Sequence, residues 1–330
     1  VPHDTSLEAA LLRMINLFMY SSHSNAARRR FETATGLLLP RSGIETLNVL
    51  ARGPRGANEL AKALRTDSTQ SSRTVAALVR QGFVIKARGT DDRRQVVLKL
   101  SDSGDALMHR WQMSWKAELQ RPLDTWNHED VETLTEWLQC ASTRLTPVME
   151  AHAGPDLVDF DSSDLDATPH PRQAPIAKSE AARCTASIAE IVYLVGRANF
   201  EDVLRAVEVT LTPSQYFALA DIQKFSPTTI SDLASRLDLE QSAASRAVST
   251  LDEQGLIRRE PNGADRRSKQ LTATPAGIDL LVRSQTARLD DLRKLFSDIE
   301  KQVGRRYSEL TERYLDDVLR TADVAAGRYL

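Results

Sequence analysis

The chain repeats itself, and that repeat limits what it can fold into. Adding 173 to a residue number in the first half finds its counterpart in the second half without a gap. Leu60, Ala61 and Leu64 align with Leu233, Ala234 and Leu237. Ser72, Arg73, Val75 and Leu78 align with Ser245, Arg246, Val248 and Leu251. Gln81-Gly82 aligns with Gln254-Gly255, and Asp92-Arg93-Arg94 with Asp265-Arg266-Arg267. Leu98, Gly104 and Leu107 align with Leu271, Gly277 and Leu280, while Pro40 and Pro54 align with Pro213 and Pro227. A period this long marks a duplicated domain rather than a solenoid unit. A length of 330 residues accommodates two ordinary domains.

The clearest copy lies between Ser231 and Gly277. Leu233, Ala234 and Leu237 have helical spacing, a polar break follows at Asp238–Gln241, and Ala244, Val248 and Leu251 form a second helical face. Gly255 is placed to end that helix. Two helices joined by so short a turn predict a helix-turn-helix. Leu256-Ile257 then opens an extended run, Asn262-Gly263 is a hairpin signal, and Lys269–Ala273 supplies the return strand. Arg258, Arg259, Arg266 and Arg267 crowd this hairpin. In the first copy the corresponding parts are Asn58–Arg65, Thr69–Gln81, Val84–Arg88 and Gln95–Leu100.

These motifs resemble the winged helix-turn-helix of the MarR (multiple antibiotic resistance regulator) family. The family's wing pattern of Asp-x-Arg, Leu-Thr and a helix-opening Gly falls on Asp265, Arg267, Leu271–Thr274 and Gly277. Its recognition-helix Arg falls on Arg246. The resemblance covers both copies and implies DNA binding. It puts Arg94 and Arg267 at a minor-groove position, with Asp92 and Asp265 bracing the hairpins through a neighbouring Arg. A narrow minor groove has enhanced negative potential that favours inserted Arg. It also implies that the first helix and the last two helices of each copy build a dimer interface.

A recognition helix needs small or polar side chains that reach base edges. The first copy offers Thr69, Gln70, Ser72 and Arg73, and the second Gln241, Ser242, Ser245 and Arg246. Arg88 and Arg93 add charge to the first wing. The net charge of −2 gives no hint of nucleic acid, but its distribution does. From Arg52 to Arg94 ten Lys/Arg stand against four Asp/Glu, or +6; from Phe225 to Arg267 six stand against seven, or −1. The first copy is the more phosphate-seeking of the two.

Enzyme motifs are absent: there is no phosphate-cradling Gly-rich loop, no His-Glu-x-x-His and no Gly-x-Ser-x-Gly. None of the six His lies at metal-ligand spacing with another His or a Cys. No catalytic residue, metal site or cofactor is therefore predicted. Cys140 and Cys184 form no disulfide framework, and this usage predicts a reducing cytoplasm. Cys184 lies in the general region where the family's peroxide sensors carry a reactive Cys. A buried inert thiol is the competing reading for both cysteines.

The remaining segments complete the plan. Ser6–Thr35 reads as one long helix, and Arg28–Arg30 near its end as a solvated or dipole-complementing face. Asp102–Leu119 and a helix from Glu129 to about Glu150 close the first copy, and Pro275–Phe296 and roughly Arg305–Arg320 close the second. All four Trp lie in the first copy's closing part, where they read as core, with a Trp-lined effector pocket as the alternative. Gly154–Pro175, with five Asp and four Pro, reads as an extended linker.

The expected architecture is mainly α with small β wings: two winged helix-turn-helix domains forming an intramolecular pseudo-dimer. The expected boundaries are residues 1–152, a linker at 153–176, and 177–330. The expected partners are double-stranded DNA and a small-molecule effector, for a mostly monomeric chain acting as a repressor. The alternative is a non-DNA interaction protein whose winged modules bind other partners.

Overall fold

The structure, a computed structural model, describes residues 4–23, 25–64, 66–88, 96–153, 180–197, 210–261 and 269–321. In the first copy these form α1 (Leu7–His23), α2 (Asn25–Thr35), α3 (Arg41–Leu50), β1 (Arg55–Gly56), α4 (Ala57–Ala63) and α5 (Ser68–Arg80). β2 (Val84–Arg88), β3 (Val96–Leu100), α6 (Asp102–Gln120), a 3-10 turn at Arg121–Thr125 and α7 (His128–Ala153) follow. In the second copy α8 (Glu180–Arg197), α9 (Pro213–Lys224), α10 (Ile230–Arg236) and α11 (Gln241–Glu253) precede β4 (Ile257–Pro261) and β5 (Lys269–Ala273). α12 (Pro275–Leu295) and α13 (Lys301–Thr321) close it.

The offset of 173 holds at the level of backbone. It carries the bounds of α4, α5, β2 and β3 onto those of α10, α11, β4 and β5 residue for residue. The wing registers coincide as well, with Val84 opposite Leu100 and Ile257 opposite Ala273. In the first copy β1 adds a third strand, pairing Arg55 with Leu98. In the second copy only the bridge Thr228–Leu271 remains at that place.

The same local chemistry sets both recognition helices. Each ends at a glycine in the left-handed region, Gly82 at φ 80° and Gly255 at φ 70°, where a Cβ would be strained. The Ser101 hydroxyl donates to the Gly82 carbonyl and accepts from the Gly104 N–H. Thr274 repeats this, donating to Gly255 at 2.8 Å and accepting from Gly277 at 3.2 Å. Gly104 and Gly277 lie so close to the Phe83 and Leu256 carbonyl oxygens that a Cβ at either would collide with backbone.

The described residues pack as two compact units whose limits differ from the repeat boundaries. One unit lies within Ala27–Glu118 and holds the first winged lobe. Its core joins Phe31, Leu47, Leu60, Leu78, Val84, Leu98 and Leu107. The other unit draws on Val1–Ala26, Leu119–Gly154 and Leu165–Leu330. Here the terminal helices of the first copy meet those of the second: α7 packs along α8, and α1 along α13. Leu11, Met14, Leu134, Trp137, Ile188, Ile191, Leu310 and Tyr314 are all buried in this unit. A helix hydrophobic on one stripe must bury it against another element. Within this unit each copy's outer helices are covered by those of the other copy.

One expectation needs correction. Ser6–Thr35 is two helices, α1 and α2, rather than one. The Asn25 N–H turns from the helical ladder to the Asp238 carbonyl at 3.0 Å. Asp238 has φ 50° and lies in the turn between α10 and α11. The first residue of α2 is thus tied to the second helix-turn-helix.

Candidate nucleic-acid interface

The recognition helices expose the side chains expected of them. On α5, Ser71, Val75 and Leu78 face inward. The opposite face exposes Thr69, Gln70, Ser72 and Arg73. Asp67 caps this helix by accepting the Gln70 N–H at 2.8 Å. On α11, Ala244, Ala247, Val248 and Leu251 are buried. Gln241, Ser242 and Arg246 are exposed, and Ser245 is half-buried. Four outward polar positions on one helix of each lobe are what reading base edges requires.

The cations of the two lobes are used differently. In the first lobe Arg73, Arg80, Lys86 and Arg88 are exposed. Among the described residues none of them has a carboxylate partner. In the second lobe Arg236, at the end of α10, grips the buried Asp221 with contacts of 2.6 Å and 3.0 Å. It also donates to Thr228 at 2.6 Å and lies over the Phe225 ring at 4.6 Å. Arg259 on β4 is drawn back onto α11, its Nε 2.9 Å from Asp252 and its Nη2 3.0 Å from the Ser249 hydroxyl. Arg258 is exposed and lies 3.4 Å from Glu260. Of the second lobe's predicted cations, Arg246 and Arg258 face solvent, whereas Arg259 is committed within the lobe.

Sequence reasoning did not find the Asp221–Arg236 pair. Its members are 15 residues apart on different helices. The first copy offers no warning, since Asn48 and Ala63 stand at the corresponding positions. Asp92, Arg93, Arg94, Asp265, Arg266, Arg267 and the hairpin turns lie outside the described residues.

Cys184 and Trp137 are buried side chains. Burial pushes the Cys184 thiol up to about 11, opposed by a hydrogen bond with Thr135. That is the reverse of the depressed pKa a peroxide-reactive thiol needs. Cys140 is half-buried. Trp137 is fully buried, stacked on Tyr307 at 5.3 Å and edge-on to Phe296 at 5.0 Å. Trp111 packs on Phe31 in the other unit. Among the described residues no helix is long and apolar enough to cross a membrane. Nor do three His, Cys, Asp or Glu side chains converge among them as a metal site.

Comparison with known proteins agrees with this geometry. The family description "Winged helix DNA-binding domain" matches residues 39–104, and "MarR family" matches residues 211–269. An uncharacterized HTH-type transcriptional regulator of Bacillus subtilis, YxaD, is 27% identical over 124 residues. The match covers 38% of this chain and 87% of that protein. The HTH-type transcriptional repressor MdtR of the same organism is 34% identical over 67 residues, 20% of this chain and 43% of MdtR. The crystal structure of YusO from Bacillus subtilis is similar at 23% identity and a TM-score of 0.33, covering 36% of this chain and 82% of that one.

Proposed function

Since the chain belongs to the MarR family and carries two copies of its winged motif, we propose that it is a repressor that occupies a double-stranded operator with both lobes. The observation that carries this reading is the pair of recognition helices in matching register, each with polar residues outward and apolar residues inward. Thr69, Gln70, Ser72 and Arg73 meet one half-site, and Gln241, Ser242, Ser245 and Arg246 the other. Arg88, Arg93 and Arg94 of the first wing, and Arg258, Arg266 and Arg267 of the second, contact the backbone and minor groove. Asp92 and Asp265 brace the hairpins. Arg259 holds β4 to α11 and so orients the second wing.

The two copies, residues 1–152 and 177–330, act as an internal pseudo-dimer joined by 153–176. A small-molecule effector releases the operator by binding one spacing of the lobes better than the other, since a ligand shifts an equilibrium only by its differential affinity. Selection of bound duplexes from a random DNA pool tests the reading directly. Enrichment of an inverted repeat supports it, and recovery of no preferred sequence sinks it.

One observation favours a second reading for the second lobe. Its Arg236 and Arg259 are held by its own Asp221 and Asp252, which leaves less charge for phosphates. If that lobe binds another protein instead, duplex affinity will depend on salt only as far as the first lobe's contacts require. Each phosphate contact contributes about −0.9 to the slope of log K against log salt.

A further inference from the structure

We infer that the helices joining the two copies form a heterotypic seam: each half is complementary to the other half, and neither is complementary to itself. In a symmetric pair every contact occurs twice, because residue i meets j and j meets i. Here the helix pairs α1–α13 and α7–α8 keep that plan. The polar contacts across them do not.

Asp130, at the start of α7, has a side chain only 8% exposed and accepts from both Arg306 and Arg313 on α13. Its mate by the offset of 173 is Val303, and the mates of the two arginines are Thr133 and Cys140. Arg13 on α1 pairs with Glu312, whose mates are Ala186 and Gln139. Arg144 of α7 pairs with Asp298 at 2.8 Å. At the position corresponding to Arg144 the second copy has Asp317, which accepts instead from the Trp126 indole at 2.8 Å. Among the described residues each bridge is present once.

The consequence for like-with-like pairing follows from the mates. Two first-copy halves would set Asp130 against Thr133 and Cys140, leaving a largely buried carboxylate without a cation. Two second-copy halves would set Arg306 and Arg313 against Val303, and Asp317 against Asp298, a like-charge contact. Unpaired buried charge and facing like charges are the means by which an interface rejects a wrong partner. The partner this surface fits is the other half of the same chain type, and not a symmetric copy of itself. The inference concerns packing alone and does not rest on operator binding.

The full-length chain tests it by charge reversal. Asp130→Arg places three cations together, and its thermal midpoint should fall by on the order of 5–10 °C. The triple variant Asp130→Arg/Arg306→Asp/Arg313→Asp restores opposite signs and should recover at least half of that loss. Asp130→Asn keeps the size and removes the charge, so it should fall between Asp130→Arg and the unaltered chain, and it serves if Asp130→Arg does not fold. A triple variant no more stable than Asp130→Arg would overturn the seam. So would Asp130→Asn melting with the unaltered chain, or a two-chain particle in light scattering that Asp130→Arg leaves unchanged.

Discussion

Arg73 and Arg236 belong to equivalent lobes, yet their surroundings give them opposite roles. Arg236 closes on a carboxylate with no solvent exposure. Removing it strands a buried charge, which costs about 3–5 kcal/mol. Arg236→Ala should therefore lower the denaturation midpoint of the second lobe, while duplex affinity measured well below that transition stays nearly unchanged. Arg73 is exposed on α5 and has no carboxylate partner among the described residues. Arg73→Ala should leave stability within about 0.5 kcal/mol. It should weaken duplex binding and, if Arg73 meets a phosphate, reduce the salt slope by about 1. A denaturation curve and a salt titration on each variant decide the matter, and an exchange of the two phenotypes would contradict it. Cys184 gives a second prediction. With its thiol raised to about 11, it is almost wholly protonated at pH 8. A thiol reagent should modify the half-buried Cys140 first and reach Cys184 only on unfolding, as peptide mass mapping would reveal. The sign follows from burial: the folded state disfavours the thiolate, so Cys184 supports folding below the ordinary thiol pKa and opposes it as pH rises above. Residue types at these sites were legible in the sequence, but their pairing was not. Asp221 meets Arg236, and Asp252 meets Arg259, only after separate helices and strands have packed.

Local elements were more legible, because their causes are local. Lys269–Ala273 is a return strand as the hairpin signal predicts, and Val96–Leu100 forms its counterpart in the first copy. The helix expected across residues 6–35 is instead α1 and α2, and the first residue of α2, Asn25, donates to Asp238, over two hundred residues away. No periodicity within residues 6–35 carries that information. The junction of wing and long helix yields an element-scale prediction. Gly104 and Gly277 sit where a Cβ would strike the Phe83 and Leu256 carbonyl oxygens, which are backbone and cannot rotate aside. Gly104→Ala and Gly277→Ala should each cost about 1–3 kcal/mol or more. The loss should appear as earlier unfolding of the lobe that carries the change, followed by hydrogen exchange of β3 or β5. Exchange that stays native in both variants would show that the strand-to-helix corner has room to move.

At the scale of the whole molecule, the two lobes share a plan but not a surface. Gln70 in the first recognition helix aligns with Ala243 in the second, and Gln241 aligns with Ser68. The shared Ser and Arg should preserve part of a half-site, while the displaced glutamine should change the bases beside it. The operator should be an imperfect inverted repeat with half-site centres about 10 bp apart. The first lobe should tolerate mismatches better, because phosphate attraction supplies more of its affinity. Footprints on single-base variants would reveal equal penalties in both halves if the aligned differences do not touch DNA. The seam in which α1 and α7 meet α13 and α8 has a further consequence. A regulator assembled from two separate subunits loses its active form as its abundance falls, and its occupancy then grows with the square of copy number. A chain that closes on itself has no such dilution limit. If this chain occupies its operator as a monomer, occupancy should rise with the first power of copy number, and halving the gene dose should halve the response at low occupancy instead of quartering it.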